Sequence, residues 1–236
     1  MELINYVSLR PTLGGSFSNG WQVMKKYFLY LLLVVIVVGM VTGPSVGFKI
    51  NYNSGDYGFI HSFPFNGDNI LLSIGAFFLI LFGIAYYFLV VPVFEYSAKL
   101  IYIDAVRDKD IEFQKLIAGF HNYLNVILAN LLKSALVAMG FIFFIIPGII
   151  LICRLSFVSY LVMDKELDAI QAIEQSWKLT RGIGWTIFGM GIFSFFIIIC
   201  GLALLIVGIF PAIIWVNSSF ASLYQAAINT HESYLE

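Results

Sequence analysis

Six stretches of this chain stay apolar for about the thickness of a bilayer, and that spacing leaves few folds open. They run over about 22–43, 69–91, 123–146, 148–163, 184–207 and 211–230. A spanning helix needs ~20 mostly apolar residues, because in hydrocarbon the backbone must satisfy its own hydrogen bonds. Composition agrees: 60% of the 236 residues are hydrophobic, 11% are charged, and mean hydropathy is +0.91. A water-soluble core of this size cannot bury so much apolar surface. The expected fold class is all-α: a polytopic membrane protein of six transmembrane helices, one integral domain over 1–236. The fourth stretch spans only ~24 Å, so it should be packed by protein or sit where the bilayer is thin. The first 27 residues are polar, and no small-x-small site follows Phe28–Val41, so that run reads as a retained span and not a signal peptide.

Positive residues set the threading. Arg10, Lys25 and Lys26 precede the first span; Lys99, Arg107, Lys109 and Lys115 lie between the second and third; Lys165, Lys178 and Arg181 lie between the fourth and fifth. The opposite side holds Lys49. Ten against one puts both termini in the cytoplasm. A net charge of −1 argues against nucleic acid as a partner.

The outer connections are unequal. In the loop 44–68, Asn53-Ser54-Gly55-Asp56 lies between two aromatic-bearing strand-like runs and suggests a small β-hairpin. The other two outer turns are expected at Pro147-Gly148 and near Gly208–Pro211. Inside, residues 93–108, 110–120 and 165–181 read as amphipathic cytoplasmic helices, with Leu167, Ile170, Ile173 and Trp177 forming the apolar side of the last. A weak period pairs Trp21 with Pro44, Tyr123 with Pro147 and Trp185 with Pro211. It would make three repeats of an interfacial helix plus a hairpin, although aromatic belts alone produce similar spacing.

Arg154 is the sharpest candidate for chemistry. Counted from Pro147, it lies ~10 Å inside the outer boundary, where a charge must pair, snorkel or meet water. It is either an anion site or gate, or a structural arginine bonded to carbonyls of neighbouring helices. Lys133 is a second intramembrane cation, on one face with Asn122, Asn125 and Asn130. The last span carries a comparable face of Asn217, Ser218, Ala221, Ser222, Gln225 and Asn229. The two stripes either hydrogen-bond between helices or line one polar cavity made positive by Lys133 and Arg154. Candidate binding residues are therefore Arg154, Lys133, Asn130, Asn217 and Gln225. No acidic residue is an evident partner for Arg154, which disfavours a proton-relay pair. Cys153 and Cys200 fall in apolar stretches and read as two buried thiols. Scattered His61, His121 and His231, with no metal, nucleophile or phosphate-loop motif, point to a protein that is not an enzyme and needs no cofactor or metal.

The second half carries Phe144-Ile145-Ile146-Pro147-Gly148-Ile149, then Arg154-Leu155-Ser156-Phe157, then Ala172-Ile173-Glu174-Gln175-Ser176-Trp177-Lys178-Leu179-Thr180-Arg181-Gly182 and an apolar span ending near Pro211. This pattern resembles a broad bacterial family of six-helix integral membrane proteins. Some members are fused, as the membrane domain, to glycerophosphoryl diester phosphodiesterases. The resemblance covers roughly 105–230 and implies a helical membrane domain without catalytic residues of its own. Arg154 and Ser176–Gly182 match the pattern, which assigns them no role. The chain shows no soluble phosphodiesterase domain, so that activity is not implied. Two functions stay open: a membrane scaffold or lipid-handling module, with membrane lipids and a protein at the cytoplasmic face as partners, or a transporter or channel for a small, anionic or amphipathic solute. A scaffold predicts stripes bonded to each other; a path predicts a wet crevice.

Overall fold

The computed structural model describes residues 10–43, 70–203 and 205–232. The expected β-hairpin in the outer loop 44–68, together with Lys49 and His61, lies outside them. Among the described residues all regular structure is helical: α1 Leu13–Thr42, α2 Ile70–Leu89, α3 Val91–Val106, a 3-10 helix Phe113–Phe120, α4 Tyr123–Phe143, α5 Ile145–Arg154, α6 Val158–Asp164, α7 Ala169–Leu179, α8 Gly184–Ala203 and α9 Leu205–Glu232. Among the described residues, five helical stretches are long and apolar enough to cross a membrane: Leu13–Thr42, Phe77–Val106, Tyr123–Phe143, Ile145–Asp164 and Gly184–Ala203. Their outward surfaces stay apolar, as at Ile142, which is 82% exposed, and across α2, where Phe78, Leu79 and Phe82 all face out. Lipid, not water, is the solvent such a surface suits. The chain is thus a multi-pass helical membrane protein.

The stretch expected as the sixth span falls in α9, which is not among those five. Its apolar run is diluted by Asn217, Ser218, Ser219, Ser222 and Gln225, and it is enclosed by protein. Every residue from Ala221 to Ile228 is buried, and α1, α3 and α8 pack around the helix. Small side chains permit this closeness. Gly20 of α1 rests directly on Ser219, and Gly201 of α8 rests on Gly208 and Ala212.

Several boundaries move for identifiable reasons. Pro147 is inside the first turn of α5, where its missing N–H costs nothing, so the hairpin turns at extended Phe144. Gly148 then packs against Gly140 and the ring of Phe141. Pro211 likewise lies inside α9; α8 ends at Ala203 and α9 begins at Leu205. The fourth span is not short: α5 and α6 together run from Ile145 to Asp164, with a break at Leu155–Phe157. Helix α1 starts well before residue 22, with Thr12 Oγ1 accepting from the Gly15 N–H at 3.3 Å. It bends at Tyr27, whose φ of −110° and ψ of 22° are not helical.

Residues 93–108 are not a surface helix. Twelve of the sixteen residues in α3 are buried, including Asp104, so the helix runs through the middle of the bundle. Helix α7 doubles back along α6. It buries the small face Ala169, Ala172, Ser176 and Leu179 and leaves Ile170 and Trp177 outward. Cys200 also departs from expectation: it is exposed on α8, while Cys153 is half-buried, and both thiols are free.

Candidate functional sites

Four polar groups are held inside or at the end of this bundle, and each is assembled from helices far apart in sequence. The tightest joins α3, α6 and α9. The Arg107 guanidinium makes a two-pronged contact with the Asp164 carboxylate, Nη2 to Oδ2 at 2.8 Å and Nη1 to Oδ1. Arg107 Nε also donates to Gln225 Oε1 at 2.7 Å, and the Tyr224 hydroxyl donates to Asp164 Oδ2 at 3.0 Å. Gln225 donates onward to Asn229 at 2.8 Å. Tyr224 stacks on Tyr160, with ring centroids 5.0 Å apart, and meets Phe157 edge-on. Gln225 was expected on a cavity wall; here it is bonded into a closed network. Charge-assisted, two-pronged bonds of this kind hold helices in one register.

A second group lies on the other side of α3. Lys99 Nζ donates to Asn217 Oδ1 at 2.6 Å and stands 5.6 Å over the Tyr160 ring. Lys133 and Glu95 are within electrostatic range of it. Glu95, Lys99, Tyr102, Asn217 and Thr42 face a cleft of about 440 Å³ between α1, α3 and α9. The hydroxyls of Tyr96, Tyr102 and Tyr160 are buried and have no hydrogen-bond partner among the described residues. The two sequence-predicted residues Lys133 and Asn217 thus converge on Lys99, a residue expected in a cytoplasmic helix. Asn130, on the face of Lys133, is half-buried and joins no described hydrogen bond.

Arg154 stands apart from this group. It closes α5 and lies against α7 and the start of α8. Its carbonyl accepts from Ser176 Oγ at 2.7 Å and Thr180 Oγ1 at 3.4 Å. Its guanidinium stacks over Trp177 at 5.5 Å, a cation–π contact. No carboxylate among the described residues pairs with it, and its Nη1 is buried without a hydrogen-bond partner. Beside it opens a groove of about 630 Å³ between α5 and α8, lined by Ile146, Ile149, Ile150, Trp185 and Phe188. Lys133 and Arg154 flank the same α4–α5 hairpin yet face different surroundings, so they do not line one cavity.

The fourth group is at the end of the bundle, beyond α3. Lys26 Nζ donates to Asp108 Oδ1 at 2.5 Å, and the Tyr27 hydroxyl donates to the same oxygen at 2.6 Å. The Lys26 bond, then the Tyr27 bond, hold the Asp108 carboxyl below its ordinary value of 3.8. A depressed carboxylate pKa gives stability that is complete above the unfolded value and is lost as pH falls through the folded one. Acidification below about pH 4 should therefore lower the melting temperature of the wild type more than that of Asp108→Asn, which has no such charge to lose. Equal acid slopes in a melting series would show that the contact adds nothing. Nearby, Lys115 of the 3-10 helix donates to buried Asp104 at 2.9 Å, and the Gly119 N–H donates to Ser97 Oγ at 2.9 Å.

Local pattern did not reveal Arg107–Asp164. The two are 57 residues apart, and each sits where a helix end was expected to be solvated. The i, i+4 spacing of Glu95 and Lys99 was a usable sign, because a pair of that spacing in a strongly apolar segment asks for a shared environment. Among the described residues no three His, Cys, Asp or Glu side chains are placed to hold a metal ion. Comparison with protein families, curated proteins and solved structures finds no match to this chain.

Proposed function

We propose that this chain is a non-enzymatic membrane module, a scaffold or lipid-handling protein, that offers its helices to lipids or a protein partner and does not conduct solute. The observation that carries this reading is the Arg107–Asp164–Tyr224–Gln225 network. It ties the ends of α3 and α6 to α9 with side chains bonded to one another and leaves little open space around them. Two residues of the polar face of α9 are also bonded to other helices: Asn19 Nδ2 donates to Ser222 Oγ at 2.9 Å, and Lys99 donates to Asn217. Polar residues used as interhelical bonds are the mark of a packed bundle. With α9 taken as the sixth span, the ten-to-one distribution of positive residues supports cytoplasmic termini, and the family resemblance supports a bacterial inner membrane. The likeness to phosphodiesterase membrane domains and the three helix-plus-hairpin repeats fit this reading, and α7, with Ile170 and Trp177 outward, is the helix offered to headgroups.

A second reading, a carrier of a small anionic solute, is favoured by the cleft lined by Lys99, Tyr102 and Asn217. One experiment separates the two. Purified protein in sealed vesicles of phosphatidylglycerol and phosphatidylethanolamine should leave chloride, phosphate and short carboxylates no more permeant than empty vesicles. Flux that rises with protein and disappears in Lys99→Met would replace the scaffold with the carrier.

A further inference from the structure

The α5–α8 groove joins two features that seldom meet by accident in one place. Its walls are aliphatic and aromatic and open toward the lipid-facing side: Ile146 is 71% exposed, Ile150 50% and Trp185 85%. At its head stands one guanidinium with a buried, unsatisfied N–H and no acidic partner. A buried donor without an acceptor is costly, and a charged one more so. The level is also right for a headgroup. Arg154 lies beside Gly184 and Trp185, the first residues of a helix long enough to cross the bilayer, and tryptophans gather at such ends. The first N–H groups of α8 have no acceptor within the helix, and together they add a positive end to the same mouth. Lys178 and Arg181 are exposed on the adjoining segment.

We propose that this groove binds one anionic phospholipid from the surrounding leaflet. Its phosphate is held by the Arg154 guanidinium where it lines the groove, and one acyl chain lies along Ile149, Ile150, Trp185 and Phe188. The guanidinium suits this because its planar fork matches two phosphate oxygens, and stacking on Trp177 fixes its plane. The apolar walls exclude a free hydrophilic anion as the main occupant: such an ion would leave most of the groove without a partner. The bound phosphate would give Arg154 the counter-ion that no described residue supplies. The inference concerns a site, and it stands whether or not the chain conducts solute through the Lys99 cleft.

Native mass spectrometry of the full chain tests it, with phosphatidylglycerol or phosphatidylcholine added to micelles. The wild type should retain one phosphatidylglycerol at a concentration at least about tenfold below that needed for phosphatidylcholine. Arg154→Gln should abolish that preference, and Arg154→Lys should recover part of it. Gly184→Leu gives a second, independent arm. A Cβ at Gly184 meets nothing within 4 Å, so a side chain starts there without a clash and projects at the groove that Gly184 lines; an unchanged melting temperature checks that the fold is kept. The substitution should reduce retention of both lipids. Inorganic phosphate at millimolar concentration should not displace the lipid. Equal retention by wild type and Arg154→Gln, with unchanged melting, would overturn the proposal; so would displacement by phosphate alone. Anion flux in the same preparations bears on the scaffold reading only.

Discussion

Asp164→Ala should destabilise the folded bundle by about 3–5 kcal/mol, the usual cost of leaving one partner of a buried ion pair alone. The geometry explains why it falls at the high end for this chain. The Asp164 side chain is 5% exposed and that of Arg107 16%, so little water can replace the lost carboxylate. The same oxygens serve Tyr224, and removal also strands a hydroxyl on a fully buried ring. Three helices lose their shared anchor together. The double variant Arg107→Met, Asp164→Leu should recover most of the loss, because replacing a whole buried pair with apolar groups is often close to neutral. Unfolding in mixed micelles, followed by circular dichroism, measures all three proteins. A double variant as unstable as Asp164→Ala would mean that the network acts through shape and not through charge.

How much of this was readable in the chain depends on the range of the interaction involved. Long apolar runs report the solvent around a helix, so the helices and the membrane class were legible from Phe28–Val41, Tyr123–Phe143 and Gly184–Ala203. Enclosure was not. Helix α3 is as polar as an amphipathic surface helix, but its charges are met by α6, by α9 and by the 3-10 helix. Nothing within α3 itself announces those partners. The prolines misled for a related reason. Proline marks either a turn or the first turn of a helix, and only the tertiary packing at Gly140–Gly148 shows that Pro147 is the second. Arg154, Lys133 and Asn217 stood out as polar atoms in an apolar context, which is a local property. That they divide into two sites is a property of side-chain direction, set by the α4–α5 hairpin and the folding back of α7.

The second large effect is expected where α1 meets α9. Gly20→Ala should cost about 1–3 kcal/mol, as overpacking does in a close-fitted interface. A Cβ at Gly20 would stand 2.7 Å from both the Cα and the N of Ser219. Those are backbone atoms, and no rotamer change relieves them. The helices would have to separate, and with them the Asn19–Ser222 bond and the Trp215 Nε1 bond to the Phe17 carbonyl at 3.0 Å. Two controls make the argument testable. Gly39→Ala, where a Cβ meets nothing within 4 Å, should be neutral or slightly stabilising, because alanine is the better helix former. Ser219→Gly should not rescue Gly20→Ala, since the offending Cα and N remain. Rescue would place the clash at the serine hydroxyl instead, and the helices would then be held by a side-chain fit, not by contact between backbones.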